Sequence, residues 1–290
     1  MVHDVGKPPS TSNSSQQLVR AMKMAVETHK ERYELEILHR AISPGNIMIR
    51  MDVDREEIRF TEIEKDGGLT EGFLTDLELA ESPSTLSVTE GRAAANNAAI
   101  GAFSVMASSL LETIAQATSK GESVAESVLH LPEHDVESFA WVFLFVVYKA
   151  ALDTAKDGAK DLKEGLQKEF RGLFPGISPT NILEGRGKLR LRGATDCILQ
   201  YLKDNVKDTL FRQLLEYIRD DILIPQLPQP KPAETPFRQA LRKKNSREAN
   251  EPPKPVPLAT HKILLDAFNL YLTPDDVSKS DDTTESDASD

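Results

Sequence analysis

The chain of 290 residues is long enough for one large domain or two small ones, and its single cysteine excludes an intramolecular disulfide and a Cys-x-x-Cys metal site. The net charge of −11 argues against a general nucleic-acid-binding protein. No apolar stretch opens the chain, and the longest apolar run, residues 139–148, is too short to cross a bilayer. We therefore expect an intracellular protein, cytoplasmic or nuclear, with neither a membrane nor a nucleic acid as partner.

The first third of the chain predicts a polar lead-in, one helix and a few short strands. Residues 1–16 are rich in Ser, Pro, Asn and Gln, which is typical of a disordered segment. From 16 to 34 the apolar residues recur every three or four positions, as on one face of a helix. Short apolar or alternating segments predict strands at 47–51, 58–63 and 73–77.

The chain from residue 81 onwards predicts a mainly helical unit followed by an extension. Residues 81–99 contain few bulky apolar side chains and predict a loop. Residues 139–152 are apolar on almost every face, which is typical of a helix enclosed by others, and residues 196–224 are amphipathic. Nine of the 17 prolines fall in 225–258 and predict an extended linker. Residues 259–272 predict a C-terminal helix that folds back onto the core.

Two charged segments lie within and beyond this linker. Residues 242–247 contain four basic side chains, which predicts a solvated stretch of linker, with a nuclear-import signal as the alternative. Residues 273–290 contain seven acidic residues and one lysine, so they carry about half of the net charge. This composition predicts an acidic disordered tail.

Four segments carry a chemical pattern. The first is L-H-R-A-I-S-P-G-N-I-M-I at 38–49, between the predicted first helix and the first of the predicted strands. F-L-T-D-L-E at 73–78 and G-A-F-S-V-M-A at 101–107 follow, and H-D-V-E-S-F-A-W at 134–141 opens the apolar helix. The first segment resembles the protein-kinase catalytic loop H-R-D-x-x-x-x-N, with Ala in place of the Asp. The other three resemble the metal-binding, activation and central-helix segments of the same fold.

The wording of the first and last segments is similar to the fungal-type protein kinase family. The resemblance covers roughly residues 17–224. It implies a mainly α fold, the helical C-terminal lobe of a protein-kinase-like domain with a few short β-strands. Only sixteen residues precede this region, and they hold no Gly-rich loop, so we expect the N-terminal lobe to be absent from this sequence.

The resemblance implies phosphoryl transfer from ATP, with Mg²⁺ holding the charge of the phosphates. Carried over by position, the magnesium ligands are Asn46 and Asp76. His39 and Arg40 are expected to anchor the catalytic loop. Asp135 is expected to have a structural role, as the N-cap of the central helix and as a hydrogen-bond acceptor for the loop.

The sequence departs from the family pattern at two further points. Ala41 stands where an Asp accepts the proton of the attacking hydroxyl, and losing a general base commonly costs ~10²–10⁴-fold in rate. Residues 107–109, Ala-Ser-Ser, stand where the activation segment ends in A-x-E. We therefore predict a pseudokinase, a regulatory binding module with protein partners. The alternatives are an active serine/threonine kinase whose N-terminal lobe is missing from this sequence or supplied in trans, and a small-molecule phosphotransferase.

A different pattern, H-x-x-E-H at residues 130–134, is that of inverted zinc peptidases. Such a site needs both histidines on one face of a helix. Pro132 lies between His130 and His134 and disfavours a helix there, so we expect no zinc.

Overall fold

The computed structural model describes only part of the chain, in segments separated by gaps. Of the predicted features, the strand at 58–63, the loop at 81–99, the basic run and nearly all of the linker and tail lie outside the described residues. The described residues are 6–50, 72–77, 80, 103–121, 130–155, 160–176, 178–191, 195–227 and 259–273.

The described strands form one antiparallel sheet in the order β1-β2-β3. They are β1 (Gly6–Lys7), β2 (Ile47–Arg50) and β3 (Gly72–Leu74). In β2 the buried residues Ile47 and Ile49 alternate with half-buried ones, so that the two isoleucines face the core. The sheet is therefore one-sided, and it packs on the first helix of the chain through β3 and β2.

The prediction of a disordered lead-in is wrong for residues 6–14. Gly6 pairs with Arg50 and Lys7 with Ile49, a 3₁₀ turn follows at Pro9–Thr11, and Ser14 caps the first helix. Strand pairing joins positions more than forty residues apart, so the polar composition of the segment does not reveal it. The segment belongs to the folded unit.

Three helices come next in the described chain, and the first of them packs on the sheet. α1 (Ser15–Glu34) follows the predicted periodicity. α2 (Ser108–Lys120) ends at Gly121, whose φ of 67° lies in the left-handed region that glycine adopts without strain. α3 (Pro132–Thr154) is buried on almost every side, as predicted for a central helix, and its largest fully buried side chains are Phe139, Trp141, Phe143, Leu144 and Tyr148.

The sequence interpretation missed three helices, namely α2 and the two that follow α3. α4 (Lys160–Leu173) places its apolar side chains at Leu162, Leu166, Phe170 and Leu173, a helical spacing that was available in the sequence. α5 (Pro179–Gly187) begins with proline at its first position and is capped by the Ser178 hydroxyl, which accepts from the Asn181 amide.

The predicted helix over 196–224 is divided in the structure. α6 (Asp196–Tyr201) is followed by a π-helical turn and ends at Lys207, whose φ of 56° interrupts the helix. α7 (Thr209–Tyr217) then begins with a new cap, because the Asp208 carboxylate accepts from the Phe211 amide at 2.9 Å. A second π-helical turn continues α7 towards residue 226.

The C-terminal helix, α8 (His261–Leu272), lies against α1, α7 and α3. It buries Leu264, Phe268 and Tyr271 in the main core, and the ring centroids of Phe268 and Phe143 are 5.7 Å apart. This helix therefore completes the core around α3. Within the described ranges, none of the helices combines the length and apolar character that crossing a bilayer requires.

Two glycines allow a direct test of the contact between β3 and α1. A Cβ added at Gly72 would lie 2.5 Å from the backbone oxygen of Ala21, whereas one added at Gly172 in α4 would meet nothing within 4 Å. We expect Gly72→Ala to lower the free energy of unfolding by about 1–3 kcal/mol through overpacking. Gly172→Ala should leave it unchanged or raise it by about 0.5–1 kcal/mol, because alanine favours a helix interior. Urea unfolding followed by circular dichroism measures both, and equal midpoints for the two variants would contradict the packing.

Candidate functional site

The 38–46 loop joins α1 to β2, and its first anchor is His39. His39 is buried, and its Nδ1 accepts from the Ala41 amide at 3.3 Å, so its Nε2 carries the hydrogen and donates to the Thr75 carbonyl at 2.8 Å. Burial lowers the pKa of His39, which keeps the ring neutral. This side chain therefore ties the loop to the residue that follows β3.

Asn46 and Asp76 meet where β2 begins and β3 has ended. The Asn46 side-chain amide donates to the Ala41 carbonyl at 2.8 Å and to the Asp76 carboxylate at 3.2 Å. The Thr75 amide donates to the Asn46 carbonyl at 2.8 Å, which extends the β2–β3 pairing to these residues. The Asn46 amide nitrogen thus bonds once within the loop and once to the carboxylate of Asp76, an exposed residue.

Asp135 is the second anchor of the loop. Its side chain is 1% exposed, and its carboxylate accepts from the Arg40 amide at 3.1 Å, from His29 Nε2 at 2.9 Å and from His130 Nε2 at 2.7 Å. Burial alone would raise the pKa of Asp135, but the charge and hydrogen bond of His130 and those of His29 hold it well below its usual range. The carboxylate is therefore ionised in the folded protein.

The expected N-cap role of Asp135 is wrong, although its bond to the loop is present. Leu131 occupies the N-cap position of α3 and Asp135 lies one turn inside the helix. The partners of the carboxylate are one loop amide and two histidines, instead of the amides at the start of the helix. Besides the Arg40 amide, the Asp135 carboxylate binds His29 and His130. The sequence interpretation did not connect these two histidines with Asp135.

The H-x-x-E-H pattern has a structural use. Pro132 does not prevent the helix but begins it, because the first turn needs no backbone donor there. His130 precedes the helix and binds Asp135, while His134 Nδ1 accepts from the Leu131 amide at 3.0 Å. Within the described ranges, no group of three or more His, Cys, Asp or Glu side chains could hold a metal ion.

A second buried carboxylate, Glu137, holds the segment that precedes α2. It accepts from the Ser108 amide at 2.8 Å and from the Trp141 indole at 3.0 Å. Arg186 is fully buried with its guanidinium 3.8 Å from the Trp141 ring centroid, and it donates to the carbonyls of Ser104 and Met106. The sequence interpretation missed both charged residues, and an acid inside an otherwise apolar helix was the available signal for Glu137.

A model of the fungal protein kinase family matches residues 1–147, just over half of the chain. The chain belongs to the fungal protein kinase family. The match begins before the expected boundary at residue 17, so it includes β1, and it ends inside α3. Searches among curated proteins and among solved structures found no match.

The chemistry of the kinase family uses ATP and Mg²⁺, and the residues at this site fit the metal in part. Mg²⁺ prefers hard oxygen ligands and is commonly held by one or two carboxylates together with phosphate oxygens. The Asp76 carboxylate supplies one such ligand, and the Asn46 side chain contacts it through its amide nitrogen. The Asn46 amide would have to turn over to add its oxygen, and the ion would then be held only together with the phosphates of a nucleotide.

Ala41 is the residue for which the sequence pattern implies the position of a proton acceptor. Its side chain is 7% exposed, and its backbone amide and carbonyl are bonded to His39 and Asn46. The loop is therefore folded as an anchored turn although the carboxylate is replaced by a methyl group. Nothing in these hydrogen bonds depends on the side chain at position 41.

Matched isosteric variants separate the structural acid from the candidate ligand. Asp135→Asn puts an amide donor opposite groups that themselves donate, and we expect it to lower the free energy of unfolding by about 1–3 kcal/mol. Asp76→Asn changes an exposed side chain, so its effect should lie within about 0.5 kcal/mol. Thermal melts in metal-free buffer compare the two. An equal loss, or a larger one for Asp76→Asn, would contradict the anchoring role of Asp135.

The stability of the protein should depend on pH through buried histidines. Burial and the nearby His130 lower the pKa of His134 to about 4, and burial and the nearby His29 lower the pKa of His261 to about 4. An unfolded histidine titrates near ~6.5, so between about pH 6.5 and 4 the unfolded chain binds more protons than the folded one. The contribution of these histidines is complete above this window and is lost as the pH falls through it.

The double variant His134→Gln/His261→Gln isolates that contribution. Glutamine keeps an acceptor for the Leu131 amide and a donor for His29 but does not titrate in this range. Burial raises the pKa of Glu137, which acts in the opposite direction, so the difference between wild type and variant is the informative quantity. We expect urea unfolding to show a larger loss of stability from pH 7.5 to pH 5 for the wild type. Parallel pH profiles would contradict the assignment.

Proposed function

We propose that this chain is a pseudokinase of the fungal protein kinase family, which acts as a regulatory binding module for a protein partner. The observation that carries the proposal is Ala41, a buried methyl group at the position of the proton acceptor in an otherwise anchored loop. A methyl group neither orients a hydroxyl nor accepts its proton. This loss alone commonly costs ~10²–10⁴-fold in rate.

Among the residues that the structure describes, the two carboxylates nearest to the loop do not offer a replacement in this arrangement. Asp135 is buried and accepts three hydrogen bonds, so it is committed to holding the loop and the histidines. Asp76 accepts from Asn46 and lies where the family places a magnesium ligand. A general base must be within hydrogen-bond reach of the hydroxyl and available to take its proton. Neither acid combines these two properties with its present partners.

The preserved scaffold supports a binding role. His39 bonds to Thr75, Arg40 to Asp135 and Asn46 to Ala41, so the loop presents a defined surface beside the sheet without the acid that serves chemistry. A preorganised surface loses little conformational entropy when a partner binds. A protein partner is therefore the proposed ligand of this module.

The pair formed by Asn46 and Asp76 favours a second candidate, an active serine/threonine kinase. If ATP binds, the amide oxygen of Asn46 and the Asp76 carboxylate would hold its Mg²⁺, which neutralises the charge of the phosphates. Nucleotide binding through these two residues is compatible with both candidates. Only phosphoryl transfer distinguishes them.

Phosphoryl transfer by the purified full chain decides between the two candidates. We expect radiolabel transfer from ATP, to the chain itself or to a generic protein acceptor, to equal the background of the Asp76→Ala variant. Transfer by the wild type that Asp76→Ala abolishes would overturn the pseudokinase proposal and support the active kinase. The thermal shift on adding Mg²⁺ and ATP measures nucleotide binding in the same samples. A result without phosphoryl transfer counts only if the wild type and Asp76→Ala both melt cooperatively, which confirms that they are folded.

A further inference from the structure

The 38–46 loop is linked to the C-terminal helix by a continuous chain of buried and partly buried hydrogen bonds. His261 opens α8, and its Nε2 lies 2.7 Å from Nδ1 of His29 in α1. The other ring nitrogen of His29 lies 2.9 Å from the Asp135 carboxylate. The same carboxylate oxygen accepts from the Arg40 amide at 3.1 Å. The path therefore runs from the first turn of α8 through α1 and α3 to the loop.

The hydrogen bonds of this chain start from its acceptor end. An ionised carboxylate can only accept, so the Nε2 of His29 must carry a hydrogen and donate to Asp135. On the other side of the ring, Nδ1 of His29 and Nε2 of His261 share one hydrogen bond, in which one nitrogen donates and the other accepts. Removing the ring nitrogen of His261 would leave a polar atom of the buried His29 without its partner.

The ring of His29 is oriented by contacts on several sides. It packs edge-on against Phe139, with centroids 5.6 Å apart, and stacks on His261 at 5.0 Å. Tyr33 stacks on the other part of His261 at 6.1 Å. The position of the His29 ring therefore depends on α8 as well as on α3.

The Arg40 backbone needs such support. Its φ of 66° lies in the left-handed region, which residues other than glycine occupy only when surrounding contacts hold them there. The bond from its amide to Asp135 is one of these contacts, and it shares its acceptor oxygen with His29. A shift of the His29 ring therefore alters the hydrogen bonds of the Asp135 oxygen that also accepts from the Arg40 amide.

α8 has a second polar anchor at its opposite end. The Tyr271 hydroxyl donates to the Asp208 carboxylate at 2.6 Å, and Ser15 also donates to that carboxylate at 2.8 Å. Asp208 caps α7 and Ser15 opens α1, so this anchor holds α8 across the ends of two helices. The two anchors lie on either side of the apolar contacts of Leu264 and Phe268.

We propose that α8 is a positioning element for the 38–46 loop, and that its docking is communicated through His261, His29 and Asp135 to the backbone of Arg40. The proposal goes beyond the pseudokinase assignment, because it holds whether or not the chain transfers phosphate. α8 lies outside the residues that the family model matches. Undocking α8 loosens the loop, and any ligand that orders the loop favours docking of α8.

Hydrogen exchange of the full-length protein, followed by mass spectrometry, tests the coupling. His261→Phe keeps an aromatic ring for stacking but removes the nitrogen that bonds to His29, whereas His261→Gln keeps an amide that can donate or accept there. Leu270→Ala is the matched control on the same helix, since Leu270 is 51% exposed. We expect His261→Phe to increase exchange in peptides covering 38–46 by roughly fivefold, the factor that corresponds to one lost hydrogen bond. His261→Gln and Leu270→Ala should exchange like the wild type there.

Peptides from α2 report whether a change is specific, because this helix is held by Glu137 and Arg186 and not by the histidine chain. Faster exchange in α8 with an unchanged 38–46 loop would overturn the proposal, and so would an equal increase in the loop and in α2. If His261→Phe does not fold, Tyr271→Phe loosens α8 from its other end without touching His261. Exchange in the loop should then rise together with exchange in α8, and a rise confined to α8 would overturn the coupling.

Discussion

The buried carboxylate of Asp135 is the interaction on which the arrangement of the site depends. An ionised group taken out of water costs several kcal/mol unless hydrogen bonds compensate it. Here the compensation comes from the Arg40 amide, from His29 in α1 and from His130 ahead of α3. Three separate segments must therefore meet at one point of the central helix before the charge is satisfied. The position of the 38–46 loop is a consequence of that requirement.

Asp135 and Glu137 bind different segments of the chain on two sides of the central helix. Residues two apart on a helix point in nearly opposite directions, so the two acids face different neighbours. Asp135 faces α1 and the loop, whereas Glu137 holds the Ser108 amide near Arg186 at the start of α2. The Glu that the family pattern places at residue 109 is absent, and a carboxylate from α3 binds the segment end in this chain. One buried helix thereby fixes both the loop and the segment that ends before α2.

The features that could be predicted from the sequence are those encoded locally. The periodicity of α1, the all-round apolar character of α3 and the motif at 38–49 depend on residues close together in the chain. The pairing of Gly6 with Arg50, the bond of His29 to Asp135 and the burial of Arg186 join distant positions, so no local pattern reports them. The break at Lys207 could be predicted only in part. Asp208 is a good capping residue, but the apolar spacing continues across the break and so favours one helix.

At Ala41 the backbone holds the loop, whereas only the side chain could take part in a reaction. Its backbone amide and carbonyl make the bonds that hold the turn, and these groups are the same for every residue except proline. A carboxylate there would lie in the same short loop as Asn46, which contacts Asp76, and it would serve a reaction instead of the fold. Groups that serve chemistry often reduce stability, so alanine can keep the loop while removing a charge that the folded state does not need. The anchored loop therefore does not need a carboxylate at position 41, because the Asp135 carboxylate holds its backbone at Arg40.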